Sequence, residues 1–148
     1  MKKGIFLFIF SLCAISLSAS AQADTIAKKK WHWGVQQQDT TAGYAQAVVV
    51  GNVLYISGTV GMGNDMAAQL KSLYAGIERT LKAHGATAQN VVKEVLYTTD
   101  IEATKGANSV RKAFYKGDYP AATWVQITRL YMPQALVEVE VTAHLPTK

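Results

Sequence analysis

Cysteine and proline are scarce in this chain, which has one cysteine, Cys13, and three prolines among 148 residues. A lone cysteine excludes an internal disulfide framework and a cysteine-based zinc site. The three histidines, His32, His84 and His144, share no local spacing and form no H-x-x-x-H element. No metal site is therefore expected. Acidic residues are outnumbered, 10 against 15 basic, for a formal charge of +5. That excess is too mild to imply a polyanionic partner by itself. No apolar run reaches the roughly 20 residues of a membrane-spanning helix.

The apolar run that is present sits at the beginning. Met1, Lys2 and Lys3 precede an apolar stretch from Ile5 to about Leu17, followed by Ser18-Ala19-Ser20-Ala21-Gln22-Ala23. A basic start, a short apolar core and a small-residue A-x-A site make residues 1–23 a secretory signal peptide, cleaved after Ala21 or Ala23. Cys13 lies inside that core and follows Leu12, where a lipoprotein site requires a small residue. The expected mature protein is thus secreted or periplasmic, without a stable membrane anchor, and free of thiols. Removing Lys2 and Lys3 lowers the formal charge to +3.

Residues 24–148 read as a single domain, large enough to bury about two-thirds of its unfolded surface. Ala47–Val50 and Val53–Ser57, joined by Gly51-Asn52, form a hairpin signal. Leu70, Leu73, Tyr74, Ile77 and Leu81 keep helical spacing, which predicts a helix from about Asp65 to His84, with Asp65 as N-cap and Gly85 beyond its end. Val91–Thr99 reads as a third strand, and Thr104–Lys116 as a second helix burying Ala107, Val110 and Phe114. Ala122–Thr128 and the alternating Val137–His144 complete five strands. This order predicts an α/β (α+β) domain, a mixed sheet with both helices on one face. Because several strands are apolar at nearly every position, the second face is expected to be covered by self-association.

The pieces Gly43-Tyr44-Ala45-Gln46-Ala47, Tyr55-Ile56-Ser57-Gly58, Val91-Val92-Lys93, Asn108, Phe114-Tyr115, Tyr119-Pro120-Ala121, Arg129-Leu130 and Val137-Glu138-Val139-Glu140 occur in an order and spacing that resemble the Rid/YjgF family, also called the liver perchloric-acid-soluble protein family. The resemblance spans essentially the whole mature domain. It implies a chorismate-mutase-like fold, a homotrimer, and small-molecule clefts at the subunit interfaces. In the best-known branch these clefts hydrolyse 2-imino or enamine acids to ammonia and a 2-keto acid, with no cofactor implied.

Carried over by resemblance, Glu138 positions water and Tyr44 supplies a cleft wall and hydroxyl. Asn108 supports cleft geometry, and Gly58 allows close approach of a ligand. The deaminase branch holds the substrate carboxylate with an arginine directly after the Pro-Ala pair; here that place is Ala122. Alanine supplies neither the charge nor the two-pronged geometry of a guanidinium. Arg111, within the second helix, and Arg129, which matches another family arginine, offer no evident replacement. Two residues on, Trp124 stands where the branch has a small residue, narrowing the cleft or giving it an aromatic wall. Turnover of small imino acids is therefore expected to be weak, with a planar or aromatic ligand favoured. A non-catalytic ligand-binding or chaperone-like trimer is the alternative. Each position also has an ordinary reading: on pattern alone Glu138 and Glu140 are the solvated face of an alternating strand.

Lys28-Lys29-Lys30-Trp31-His32-Trp33 has the composition of a single-strand stacking platform, which makes an RNA-binding or endoribonuclease-like role a second alternative. The simpler reading is an exposed basic tail whose indoles pack an early strand onto the domain, and a nucleic-acid partner is disfavoured. Ser57-Gly58 lacks the surround of a nucleophile elbow. His84 reads as a helix C-terminal residue facing the dipole.

Overall fold

The computed structural model describes residues 25–34 and 41–146. Residues 1–23, expected as a signal peptide, lie outside them. Six strands form one sheet: β1 (Lys29–Trp31), β2 (Ala47–Val50), β3 (Val53–Val60), β4 (Val91–Thr98), β5 (Ala121–Gln126) and β6 (Val137–His144). The helices are α1 (Met66–Ala83), α2 (Ile101–Gly106) and α3 (Asn108–Tyr115). Sheet order is β1-β2-β3-β6-β4-β5, antiparallel throughout except for the β4–β5 pair. A parallel neighbour needs a crossover, and α2 and α3 supply it.

The elements follow their local chemistry. The β2–β3 turn is Gly51-Asn52, with Gly51 at φ 59°, a conformation that costs glycine little. Asp65 caps α1 through a 2.8 Å hydrogen bond from the Ala68 amide, and Gly85 at φ 71° follows the helix end. His84 places Nδ1 2.8 Å from the Thr80 carbonyl in the last turn, a geometry that puts the ring proton on Nδ1.

Three expectations need correction. The described residues hold six strands rather than the five counted for the sheet, because the early strand expected beside Trp31 and Trp33 joins it at residues 29–31 as an edge, pairing Trp31 with Ala47. The stretch expected as one helix from Thr104 is two, α2 and α3: it starts at Ile101 and breaks at Ala107. Asp100 accounts for the early start, since its side chain accepts from the Ala103 amide at 2.9 Å. Ala107 leaves helical geometry at ψ 8° immediately after Gly106, a weak helix former, and ends the first piece. The open face is also less apolar than the strand sequences suggested, carrying Lys30, Lys93, Glu138 and Glu140 among its valines and tyrosines.

Pairing register defines the two faces. Leu54, Ile56, Leu96, Val139 and Val141 point to the helices and are buried with Leu70, Leu73, Ile77 and Leu81. None of α1, α2 and α3 lies over the opposite face. Lys30, Val48, Tyr55, Thr142 and Lys93 form one row across it, and Glu138 and Tyr97 lie in another. In an alternating strand such as β6, adjacent residues are thus assigned to opposite environments.

Candidate functional site

Glu138 projects from β6 onto the helix-free side, where the β3–β6 ladder slips register between Ile56 and Thr59. Gly58 sits in that irregularity. A Cβ there would overlap the Glu138 carboxylate, coming within 2.8 Å of Cδ, so glycine is what lets the acid lie across the strand. Ser57 fastens the preceding loop to the same place, with its hydroxyl donating to the Ala45 carbonyl at 2.7 Å and its amide to the Gln46 carbonyl at 3.0 Å. This anchors Tyr44, which is 45 % exposed.

Tyr44, Gly58 and Glu138 therefore line one cavity of about 420 Å³, closed on another side by Tyr131 and Met132. The loop carrying those two residues is held by Gln69, a buried side chain on α1. Its amide donates to the carbonyls of Gly63 and Gln134 at 3.1 and 3.0 Å, and its oxygen accepts from the Leu136 amide at 2.8 Å. The cavity is pinned by hydrogen bonds on both flanks.

Glu138 is half-buried and makes no hydrogen bond or ion pair among the described residues. Burial, and then the like charge of Glu140, push its carboxyl above the ordinary glutamate range. The same two acids, after burial, raise Tyr97 beside them. An unpartnered carboxylate with a raised pKa is suited to accept a proton from water.

The structure does not bring the remaining sequence-predicted residues to this cavity within one protomer. Trp124 pairs with Leu96 and Ala122 with Glu94, so both face the helices, on the side of the sheet opposite Glu138. Trp124 packs against the core rather than walling the Glu138 pocket. Asn108 is on the same side, at the first turn of α3, and its Oδ1 is buried with no hydrogen-bond partner among the described residues.

Beside that second group lies a cluster missed by sequence reasoning. Glu94 is fully buried on β4, accepting from Arg111 Nε at 2.7 Å, Tyr115 Oη at 2.7 Å and Tyr74 Oη at 3.0 Å. The Arg111 guanidinium lies 4.9, 5.6 and 5.7 Å from the rings of Tyr115, Tyr119 and Trp124. Burial opposes its charge, but the bond and attraction to Glu94 outweigh that and raise its pKa. Burial, followed by the Glu94 charge, drives the Tyr74 and Tyr115 phenols upward. A signal was available: Arg111 occupies the apolar stripe set by Ala107, Val110 and Phe114, and Glu94 falls on the same face of its strand as Leu96.

The lysine–tryptophan segment also divides. Trp31 packs on the core and meets His84 edge-on at 5.4 Å, while Trp33 Nε1 donates to Thr80 Oγ1 at 2.7 Å. Both indoles are committed to packing, so no stacking platform forms beside the lysines. Among the described residues no group of three or more His, Cys, Asp or Glu is arranged to hold a metal, and no helix is long and apolar enough to cross a membrane.

Comparison with known proteins agrees with this architecture. Residues 35–145 match the Endoribonuclease L-PSP family. The RutC family protein UK114 of Drosophila melanogaster is 31% identical over 110 residues, covering 69% of this chain and 79% of that protein. The 2-iminobutanoate/2-iminopropanoate deaminase of Homo sapiens is 31% identical over 109 residues, covering 68% of this chain and 78% of that protein. Among solved structures, a member of the YjgF/YER057c/UK114 family from Mycobacterium tuberculosis superposes with a TM-score of 0.74 at 31% identity, over 80% of this chain and all of that one.

Proposed function

The chain belongs to the endoribonuclease L-PSP family, the Rid/YjgF family, and from that premise we propose that it is an exported imine or enamine hydrolase of low activity on 2-imino acids, working as a homotrimer. The observation that carries the chemistry is Glu138, half-buried, unpartnered and drawn across Gly58 beside Tyr44. In its ionised form the carboxylate takes a proton from water as the oxygen bonds to the imine carbon. With a protonated imine this gives the carbinolamine; Glu138 passes its proton to the nitrogen, and as the C–N bond breaks the carboxylate takes the hydroxyl proton, leaving a carbonyl and ammonia. Tyr44 supplies a wall and a hydroxyl near the reacting carbon.

The split of the site supports assembly. Tyr44, Gly58 and Glu138 lie on one side of the sheet, and Asn108, Ala122 and Trp124 on the other, so a cleft using both groups takes one from each of two copies. Export rests on the residue order of segment 1–23, and the secreted or periplasmic location follows from it.

Ala122 favours a second reading, in which the trimer binds a ligand without turning it over. A coupled deaminase assay separates the two, with freshly generated 2-iminopropanoate and 2-iminobutanoate given to the purified protein and to Ala122→Arg. Weak turnover by the wild type that rises at least tenfold in the variant is expected. Inactivity of both proteins would leave the binding reading, whereas rapid turnover by the wild type would show that no arginine is needed at position 122.

A further inference from the structure

Arg111 is only half used by the cluster that buries it. Its Nε is spent on Glu94, but its two Nη groups make no hydrogen bond among the described residues. They are not sealed off either. Asn108 Oδ1 is the only buried side-chain polar atom without a partner among the described residues. The unpartnered Nη groups therefore touch solvent, through the 10 % of the Arg111 side chain that is exposed. What lies around that opening is flat and apolar. The guanidinium is 5.6 Å from the ring of Tyr119, which is 50 % exposed, and 5.7 Å from that of Trp124. Ala122, the direct partner of Glu94 on the neighbouring strand, is exposed and puts only a methyl group beside the ion pair.

We propose that Arg111 is the anion-binding group of the interface cleft and selects a planar acid, with a carboxylate on its Nη pair and a flat ring against Tyr119 and Trp124. This rests on the reading that the side of the sheet carrying Asn108, Ala122 and Trp124 forms half of that cleft. A guanidinium offers parallel N–H donors to one carboxylate, and here Glu94 and the surrounding rings fix the fork before any ligand arrives. Little side-chain freedom is then lost on binding. Because Glu94 balances the Arg111 charge, a singly charged carboxylate is matched better than a phosphate dianion. The rings supply the rest of the selectivity, since a small aliphatic acid engages the fork and leaves them uncovered.

The test is a binding measurement that needs no turnover. Calorimetry on the purified protein is expected to show benzoate binding at least tenfold more tightly than benzamide or cyclohexanecarboxylate. Glu94→Leu/Arg111→Met removes both buried charges together, an exchange that folded domains tolerate, and should abolish benzoate binding. Arg111→Lys keeps a charge opposite Glu94 without the fork and should weaken benzoate about tenfold, with thermal unfolding checking that the fold is intact. Tyr119→Leu, at an exposed position, should bring benzoate down toward cyclohexanecarboxylate. The proposal fails if benzoate does not bind the wild type, if it binds no better than benzamide, or if both Arg111 variants bind it like the wild type. Benzoate binding without any imine turnover would sink the hydrolytic reading and keep this one; turnover without benzoate binding would do the reverse.

Discussion

Glu94 and Glu138 stand on adjacent strands of one sheet and differ in almost every physical respect. Glu94 points toward the helices, has no exposed surface and receives three hydrogen bonds, one of them from a guanidinium. Glu138 points the other way, is half-buried and has no partner among the described residues. The first is a carboxylate whose charge is spent on holding α1, α3 and β4 together. The second keeps its charge available and bears an energetic cost for doing so. Burial with partners reads as architecture, and burial without them as chemistry.

The widest separation should come from removing the Glu94 carboxylate. Glu94→Gln leaves the Arg111 guanidinium buried without its counter-charge, and a loss of about 3–5 kcal/mol in chemical denaturation is expected. An unchanged midpoint would mean that the cluster contributes nothing to the fold. Glu138→Gln should do the reverse, keeping the fold while lowering turnover at least a hundredfold, about 2.7 kcal/mol of transition-state stabilisation. Equal activity of the two proteins would remove Glu138 from the reaction.

A subtler perturbation leaves the acid in place and moves it. Gly58→Ala puts a methyl group where the Glu138 carboxylate lies; that side chain is flexible, so the domain should fold and turnover should drop about tenfold by displacement alone. Retained activity would show that Glu138 works from another position.

The smallest effect is on stability against pH. Since burial and Glu140 raise the Glu138 pKa, the native state binds this proton more tightly than the unfolded chain does. Stability from this group therefore falls as pH rises from the ordinary glutamate value through the raised one, and above that window the ionised form is a net cost. Glu138→Gln should raise Tm slightly at about pH 8 and leave it unchanged near pH 4, below the unfolded value of about 4.3. By the same shift, turnover should be lost on acidification at a pH above that ordinary value, in a kcat/KM profile, which reports the free enzyme.

Much of the fold was legible because its signals are local. The Gly51-Asn52 turn, the Asp65 cap, the α1 stripe and the alternation of Val137–His144 all depend on residues within a few positions of each other. The break at Ala107 was missed because the stripe of Ala107, Val110 and Phe114 continues across it. The indoles pointed to an early strand near residue 31, but its place in the sheet was not legible, since its pairing with β2 comes from a partner 18 residues away.

The sequence by itself determined the periodicities, the turns and caps, the family likeness and the absence of an arginine at 122, because each is a property of residue type and spacing. Only the tertiary structure decided which side of the sheet each side chain serves. Glu94 reaches Arg111 across 17 residues and Tyr115 across 21, Glu138 meets Gly58 across a strand boundary, and Lys30 parts company with its neighbour Trp31. Pairing register fixed these outcomes, and register is set by the burial of the whole sheet.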